Sequence, residues 1–255
     1  MIRLRQIAMV VRDLHRVVAQ LQSVFGLDIA HVDPGVEVFG LENRVLPVGT
    51  QFLEVLAPIR PGTAAERYMA RRGGDSGYMV ICQCDDQEAV RARIRELGVR
   101  VAWEREQEGY SILQLHPKDT GGTFLEIDWA AGWEQADGPW PPAGEAWREH
   151  VRTEVVRGII GAEVESPEPQ TLASRWSAIM GLPAEPLSDG SLGISLENAR
   201  LRFVASADGR SEGLRGVELH AVDPTRALRQ AEELRLPVEG ETIVLGGMRF
   251  RLRSS

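Results

Sequence analysis

TQFLEVLAP at 50–58 and GTFLEIDWA at 122–130 share a Phe-Leu-Glu core, and each closes a run of short segments set out in the same order. Working back from the first, LRQIAMVV (4–11) reads as an apolar strand. DLHRVVAQLQSVF (13–25) then follows with helical spacing: Val17, Val18, Leu21 and Phe25 form its stripe, Asp13 its N-cap and Gly26 its stop. Strand-like segments are expected at 35–40, 44–48 and 50–57. Working back from the second, GYMVICQC (77–84) is a strand, and DDQEAVRARIRELG (85–98) is a capped helix ending at Gly98. Strands are expected near 99–105, 109–115 and 122–128. One order, strand-helix-three strands, is used twice.

The second half repeats the first at an offset of about 155 residues, a period long enough to be a whole pair of such units. Phe25-Gly26-Leu27 returns as Met180-Gly181-Leu182, and Leu41-Glu42-Asn43 as Leu196-Glu197-Asn198. Strands are expected at 155–165, 214–222 and 246–253, with helices at 167–180 and 224–235. The chain therefore divides into four βαβββ units, 1–58, 77–130, 153–206 and 214–255, paired as domains 1–130 and 153–255. Between them, 131–152 is rich in Pro and Gly and carries Trp133, Trp140 and Trp147. Aromatics of that size bury area against something, which favours a packed strap over a free linker or a lid.

Composition narrows the classes. Of the 255 residues, 43% are apolar and 26% charged, as in a globular protein, and 37 acidic against 29 basic residues argue against a nucleic-acid partner. No apolar run reaches the ~20 residues that span a bilayer, and the N-terminal stretch lacks the marks of a signal peptide. Lys118 is the sole lysine, a bias expected of a high-G+C, bacterial genome. Cys82 and Cys84 share one face of a strand, which suits buried packing rather than a disulfide. The expectation is a cytoplasmic protein that meets neither membrane nor nucleic acid. It would be a monomer acting as an internal pseudo-dimer, or a homodimer.

A duplicated βαβββ unit ending in Phe-Leu-Glu, with a strand running into Arg12-Asp13-Leu14, resembles the vicinal oxygen chelate superfamily of glyoxalases, bleomycin-resistance proteins and dioxygenases. LHPKDTGGTFLEID (115–128) resembles the closing strands of methylmalonyl-CoA epimerases. The resemblance implies an α+β fold of four units paired into two cupped sheets. It also implies four inner positions for a divalent metal (Mn, Ni, Co, Zn or Mg). Carried onto this chain they are Gln6, Glu54, Met79 and Glu126. Alternation independently puts Gln6, Glu54 and Glu126 on the cup side, because Ile7, Met9, Leu53, Val55, Leu125 and Ile127 would face the helices. The alternation of Cys82 and Cys84 keeps Met79, rather than Tyr78, at the third position. Met79 departs from the usual His, and a thioether is a poor donor to hard cations.

The chemistry implied is metal-assisted movement of a proton next to a carbonyl of a small molecule, by an isomerase or lyase with Glu126 as base and Glu54 as partner. Met79, Phe52, Phe124 and His116 are expected to line the pocket. The competing reading is non-catalytic small-molecule capture of the bleomycin-resistance kind, and a third is a scaffold. In the second half, Arg202 and Arg251 stand where Glu54 and Glu126 stand in the first. They would either bind an anion or, as Glu163, Glu165 and Glu218 favour, pair internally. The extradiol dioxygenase reading fails there, since that half offers only His220 towards a two-His, one-carboxylate site.

Overall fold

A computed structural model describes residues 1–206 and 209–254; the expected end of the fourth unit, residue 255, lies just outside the described residues. The first half runs β1 (Ile2–Val10), α1 (Leu14–Phe25), β2 (Leu41–Val48), β3 (Gln51–Pro58), α2 (Ala64–Arg72), β4 (Ser76–Cys84), α3 (Gln87–Glu96), β5 (Val101–Gln107), β6 (Tyr110–Leu115) and β7 (Phe124–Ala130). The second runs β8 (Val156–Ser166), α4 (Pro169–Met180), β9 (Ala184–Pro186), β10 (Leu192–Ser195), β11 (Arg200–Ala205), β12 (Gly213–Ala221), α5 (Pro224–Glu233), β13 (Val238–Glu239), β14 (Thr242–Leu245) and β15 (Met248–Arg253). They form a seven-stranded sheet, β2-β3-β1-β4-β7-β6-β5, and an eight-stranded sheet, β13-β14-β15-β12-β8-β11-β10-β9. In each sheet the two units meet through their antiparallel first strands, β1 with β4 and β8 with β12. The closing Phe-Leu-Glu strands β3 and β7 lie parallel beside β1 and β4.

The repeated Gly26 and Gly181 end α1 and α4 in the same left-handed conformation, φ 69° at both, a backbone state that glycine adopts without steric cost. The helix-facing residues of both sheets, together with α1, α3, α4 and α5, form one continuous apolar core. Phe25 of α1 meets Phe250 of β15 at 5.2 Å between ring centroids, and Arg93 of α3 donates to the carbonyls of Ile179 and Met180 at the end of α4. Helices α1, α3, α4 and α5 thus lie between the sheets, and the concave faces turn away from the shared core. Among the described residues no helix is long and apolar enough to cross a membrane.

Two segments differ from expectation. Residues 34–39 are a 3-10 helix, not a strand, because Asp33 Oδ1 accepts the Gly35 N–H and Pro34 starts the turn. Helix α2, between the first two units, was not expected. It begins at a capping box: Thr63 accepts from Glu66 N, and Glu66 in turn accepts from Gly62 N. The 131–152 segment lies as a strap on the first concave face, with Trp140, Ala143 and Trp147 buried in a second apolar cluster alongside Phe52, Tyr78 and Met79.

Candidate functional site in the first cup

Two β-bulges set the inward side chains of this cup. On β1, Leu4 pairs with Cys82 and Gln6 with Ile81, leaving Arg5 as the extra residue. Arg5 takes the strap: it donates to the carbonyls of Gly138 (2.7 Å), Thr50 (2.9 Å) and Ala136, among the rings of Phe52, Trp140 and Trp147. Burial lowers its pKa to about 10. On β4, Ala8 pairs with Met79 and Met9 with Gly77, so Tyr78 is the extra residue. Tyr78 and Met79 consequently both reach the concave cluster, while Val80 and Cys82 stay in the helix-side core.

Next to these bulges Glu54 is held by amides. Asn43 Nδ2 donates to Oε1 at 2.6 Å and Gln6 Nε2 to Oε2 at 2.8 Å; Gln6 Oε1 accepts the Trp140 indole N–H at 2.8 Å. Burial pushes the Glu54 carboxyl up to about 7, against the pull of the two amide donors. Glu126 stands on β7, cross-strand from Gln114, buried like Glu54. Its neighbour on the same face, Asp128, is wholly buried. Asp128 accepts the Leu113 N–H at 3.1 Å and the Tyr110 hydroxyl, and it shares a hydrogen bond with Glu126. Burial raises Asp128 to about 7, and burial with the Asp128 charge raises Glu126 further. The pair therefore keeps a proton that its two members share, and the Glu54 charge adds to the rise at Glu126.

Glu54 and Glu126 open into a cavity of about 1260 Å³. Gln6, Glu54, Met79, His116, Phe124 and Glu126 all line it. Phe52 does not: it lies fully buried, edge-on to Trp147 at 5.1 Å, beneath the strap. His116 Nδ1 accepts the Lys118 N–H at 3.2 Å, a turn contact at the rim. Sequence reasoning missed Asp128, Asn43 and Gln114. Asp128 was legible, since two residues beyond Glu126 is the same strand face; the other two depend on cross-strand register.

As paired, this donor set does not fit a divalent cation. Both Glu54 oxygens receive amide N–H groups, the Gln6 oxygen receives an indole N–H, and Glu126 is hydrogen-bonded to Asp128. The remaining position is the Met79 thioether, which accepts from Gln114 Nε2 at 3.7 Å. Among the described residues no three His, Cys, Asp or Glu side chains gather as a metal cage.

The second cup carries the same rungs with different charges. Arg202 meets Glu163 at 3.0 Å, Glu218 at 3.6 Å and also Asp189, while Arg251 and Arg253 each meet Glu218 at 3.2 Å. Arg215 meets Glu163 at 3.3 Å. A pocket of about 10 Å³ between Glu163, Glu218 and Arg251 has room for about one water, and Arg202 and Arg251 are engaged with glutamates rather than presented to an anion.

A family model described as a glyoxalase-like domain matches residues 7–180. An ethylmalonyl-CoA/methylmalonyl-CoA epimerase from Cereibacter sphaeroides is 28% identical over 134 residues, covering 49% of this chain and 96% of that protein. The mitochondrial methylmalonyl-CoA epimerase of Bos taurus is 23% identical over 131 residues, 50% of this chain and 74% of its own length. Among solved structures, a mutant of 4-hydroxymandelate synthase from Streptomyces coelicolor superposes with a TM-score of 0.73 at 13% identity, covering 98% of this chain and 92% of that one. A hypothetical protein from Staphylococcus aureus covers both chains completely, with a TM-score of 0.68 at 13% identity. These two likenesses carry the fold alone. Four repeated units, two cupped sheets and a family match spanning the first cup, the strap and α4 agree: the chain belongs to the glyoxalase-like domain family, within the vicinal oxygen chelate superfamily.

Proposed function

We propose that the first cup moves a proton at a carbon beside a carbonyl of a small molecule, as an isomerase, using its own carboxyls. One observation carries the reading: a carboxyl poised near neutrality, Glu54, and a second carboxyl, Glu126, raised by burial and by Asp128, line a single cavity. The named epimerases matched by the first half support it. Because the Glu126–Asp128 pair shares a proton, the roles expected from the resemblance reverse in the forward direction. Glu54 removes the proton, with its carboxylate aimed by the Asn43 and Gln6 amides. The electron pair of the broken C–H bond moves onto the carbonyl oxygen. Gln114 Nε2, whose partner in the free site is only a thioether at 3.7 Å, is the available hydrogen-bond donor to that oxygen. Glu126 then delivers its proton to carbon, and Glu54 keeps the one it took, so the next turnover runs in the opposite sense.

Exchange of substrate α-protons with deuterated water, followed by proton NMR on methylmalonyl-CoA and on thiohemiacetals, tests this directly. Exchange is expected in the presence of a chelator. Glu54→Gln and Glu126→Gln should each slow it by roughly 10²–10⁴-fold, the scale of one positioned acid or base. Met79 and the apolar walls favour the second reading, capture of a small molecule without chemistry. Binding without exchange on either substrate would select it, and loss of exchange with the chelator would restore a metal to the mechanism.

A further inference from the structure

The cavity is far larger than a proton-transfer site needs, and its charges are unevenly spent. Of the acids around it, Glu104 is paired with Arg91 at 2.6 Å, while Asp33 and Glu212 accept hydrogen bonds from neutral groups, the Gly35 N–H and the Ser166 hydroxyl. Arg72 is taken by Glu165 at 2.7 Å. The exposed cations Arg67 and Arg71 on α2, and Lys118 on the turn before β7, also line it. Among the described residues none of the three has a carboxylate within ion-pair distance. Arg67 donates to the Gly62 carbonyl, and the Arg71 guanidinium lies 5.7 Å from the Tyr68 ring centroid.

The apolar surface is also uneven. Val38, Phe39, Val101 and Trp103 are exposed large apolar residues that all line this one cavity. Phe39 and Trp103 meet edge to face at 5.1 Å, joining the 34–39 turn to the exposed strand β5 across the cavity. Exposed apolar side chains gathered at one concavity mark a place where an apolar body is covered by a ligand. Uncompensated cations at the same concavity mark an acid group.

We infer that the ligand of the first cup is an amphipathic anion, with an apolar body against Phe39, Trp103 and Phe124 and a carboxylate, sulfonate or phosphate at Arg67, Arg71 and Lys118. This deepens the proton-transfer reading by naming the class of carbonyl compound, and it rests on that reading only for the chemistry. The cations anchor the end of the molecule remote from the reacting carbon, so the carboxyl floor never has to hold an anionic group against its own charge.

Two fluorescent probes of similar shape separate the terms: 8-anilinonaphthalene-1-sulfonate, which is anionic, and N-phenyl-1-naphthylamine, which is neutral. Both are titrated into the parent, the exposed-surface variant Arg67→Ala/Arg71→Ala/Lys118→Ala, and Trp103→Ala. The parent should prefer the sulfonate. The triple variant should weaken the sulfonate by about tenfold and leave the neutral probe unchanged, which also shows that the cavity still forms. Trp103→Ala should weaken both. No binding of either probe, or equal affinities and equal changes for the two, overturns the inference. The result is independent of α-proton exchange: selective binding without exchange sinks the isomerase reading alone, and exchange without charge selectivity sinks this one alone.

Discussion

Glu54 and Glu126 in the first cup, and Arg202 and Arg251 in the second, occupy equivalent rungs of two sheets built to one plan. The bulges repeat as well: Arg5 on β1 answers to Ile160 on β8, and Tyr78 on β4 to Arg215 on β12. Backbone geometry is therefore common, and the difference lies in what the strands aim inward. The first cup aims Glu54 and Glu126 inward with no cation in ion-pair distance of either among the described residues, and keeps an open cavity of about 1260 Å³. The second alternates Glu163, Glu165 and Glu218 with Arg202, Arg215 and Arg251, which find one another and leave a pocket of about 10 Å³ between Glu163, Glu218 and Arg251. A cup stays open when its charges cannot satisfy each other; a site is a set of unmet needs held by a rigid frame.

The cups are joined where that lesson can be tested most severely. Arg72, on the α2 wall of the first cavity, reaches Glu165 of the second at 2.7 Å, with side chains 1% and 0% exposed. Arg210 reinforces the junction by donating to the carbonyls of Arg72, Asp75 and Gly247. Glu165→Leu leaves a buried guanidinium without its carboxylate and should cost about 3–5 kcal/mol in chemical denaturation. It should also weaken ligands of the first cup, because α2 loses its anchor. Adding Arg72→Met should recover most of the stability, since replacing both charges removes the stranded one. A single variant as stable as the parent would show that the second cup does not brace the first.

A second prediction separates the cups by pH. Glu54 holds its proton up to about pH 7 when folded and to about 4.5 when unfolded. Between those values the folded state binds the extra proton, so this residue makes stability fall as pH rises through the window, levelling off above it. Against Glu54→Gln, the difference in unfolding free energy should drift by on the order of 3 kcal/mol across pH 4.5–7. The amide clash that Glu54→Gln introduces with Asn43 and Gln6 is constant with pH and shifts the curves without changing the slope. A flat difference would mean that Glu54 is ionised throughout and solvated. The same ionisation should give kcat/KM a limb rising with pH near 7 in the exchange assay.

Much of this was legible in the chain, for stated reasons. The two Phe-Leu-Glu strands alternate strictly, so Glu54 and Glu126 had to share the face opposite Leu53, Val55, Leu125 and Ile127. Arg202 and Arg251 followed from the same alternation with glutamates close by. The bulges were not legible, because an extra residue in a strand leaves no mark in an apolar pattern; Tyr78 and Met79 looked like alternatives and are both inward. Phe52 shares the Glu54 face, yet the strap covers it, and strap packing is a long-range event that no local spacing encodes. Helix α2 did leave a signal, Thr63-Ala64-Ala65-Glu66, whose meaning depends on recognising a capping box without a strong apolar stripe behind it. Pro34-Gly35 likewise marked a turn where a strand was expected.

The smallest expected effect probes the redundancy of the closed cup. Arg251 is partly exposed and meets Glu218 at 3.2 Å, but Glu218 keeps Arg253 at 3.2 Å and Arg202 at 3.6 Å if Arg251 is lost. Arg251→Met should therefore cost less than about 1 kcal/mol in denaturant unfolding, in the range of a solvent-screened pair. It should not open a binding site, because the methionine fills the volume that the arginine stem filled. The corresponding change in the first cup, Glu126→Met, removes an acid that lines the open cavity and leaves Glu54 and the buried Asp128 without it. If Arg251→Met proves as damaging to stability as Glu165→Leu, the ion pairs of the second cup act as one cooperative lattice. Closure would then depend on every member, rather than on the surplus of partners that the distances describe.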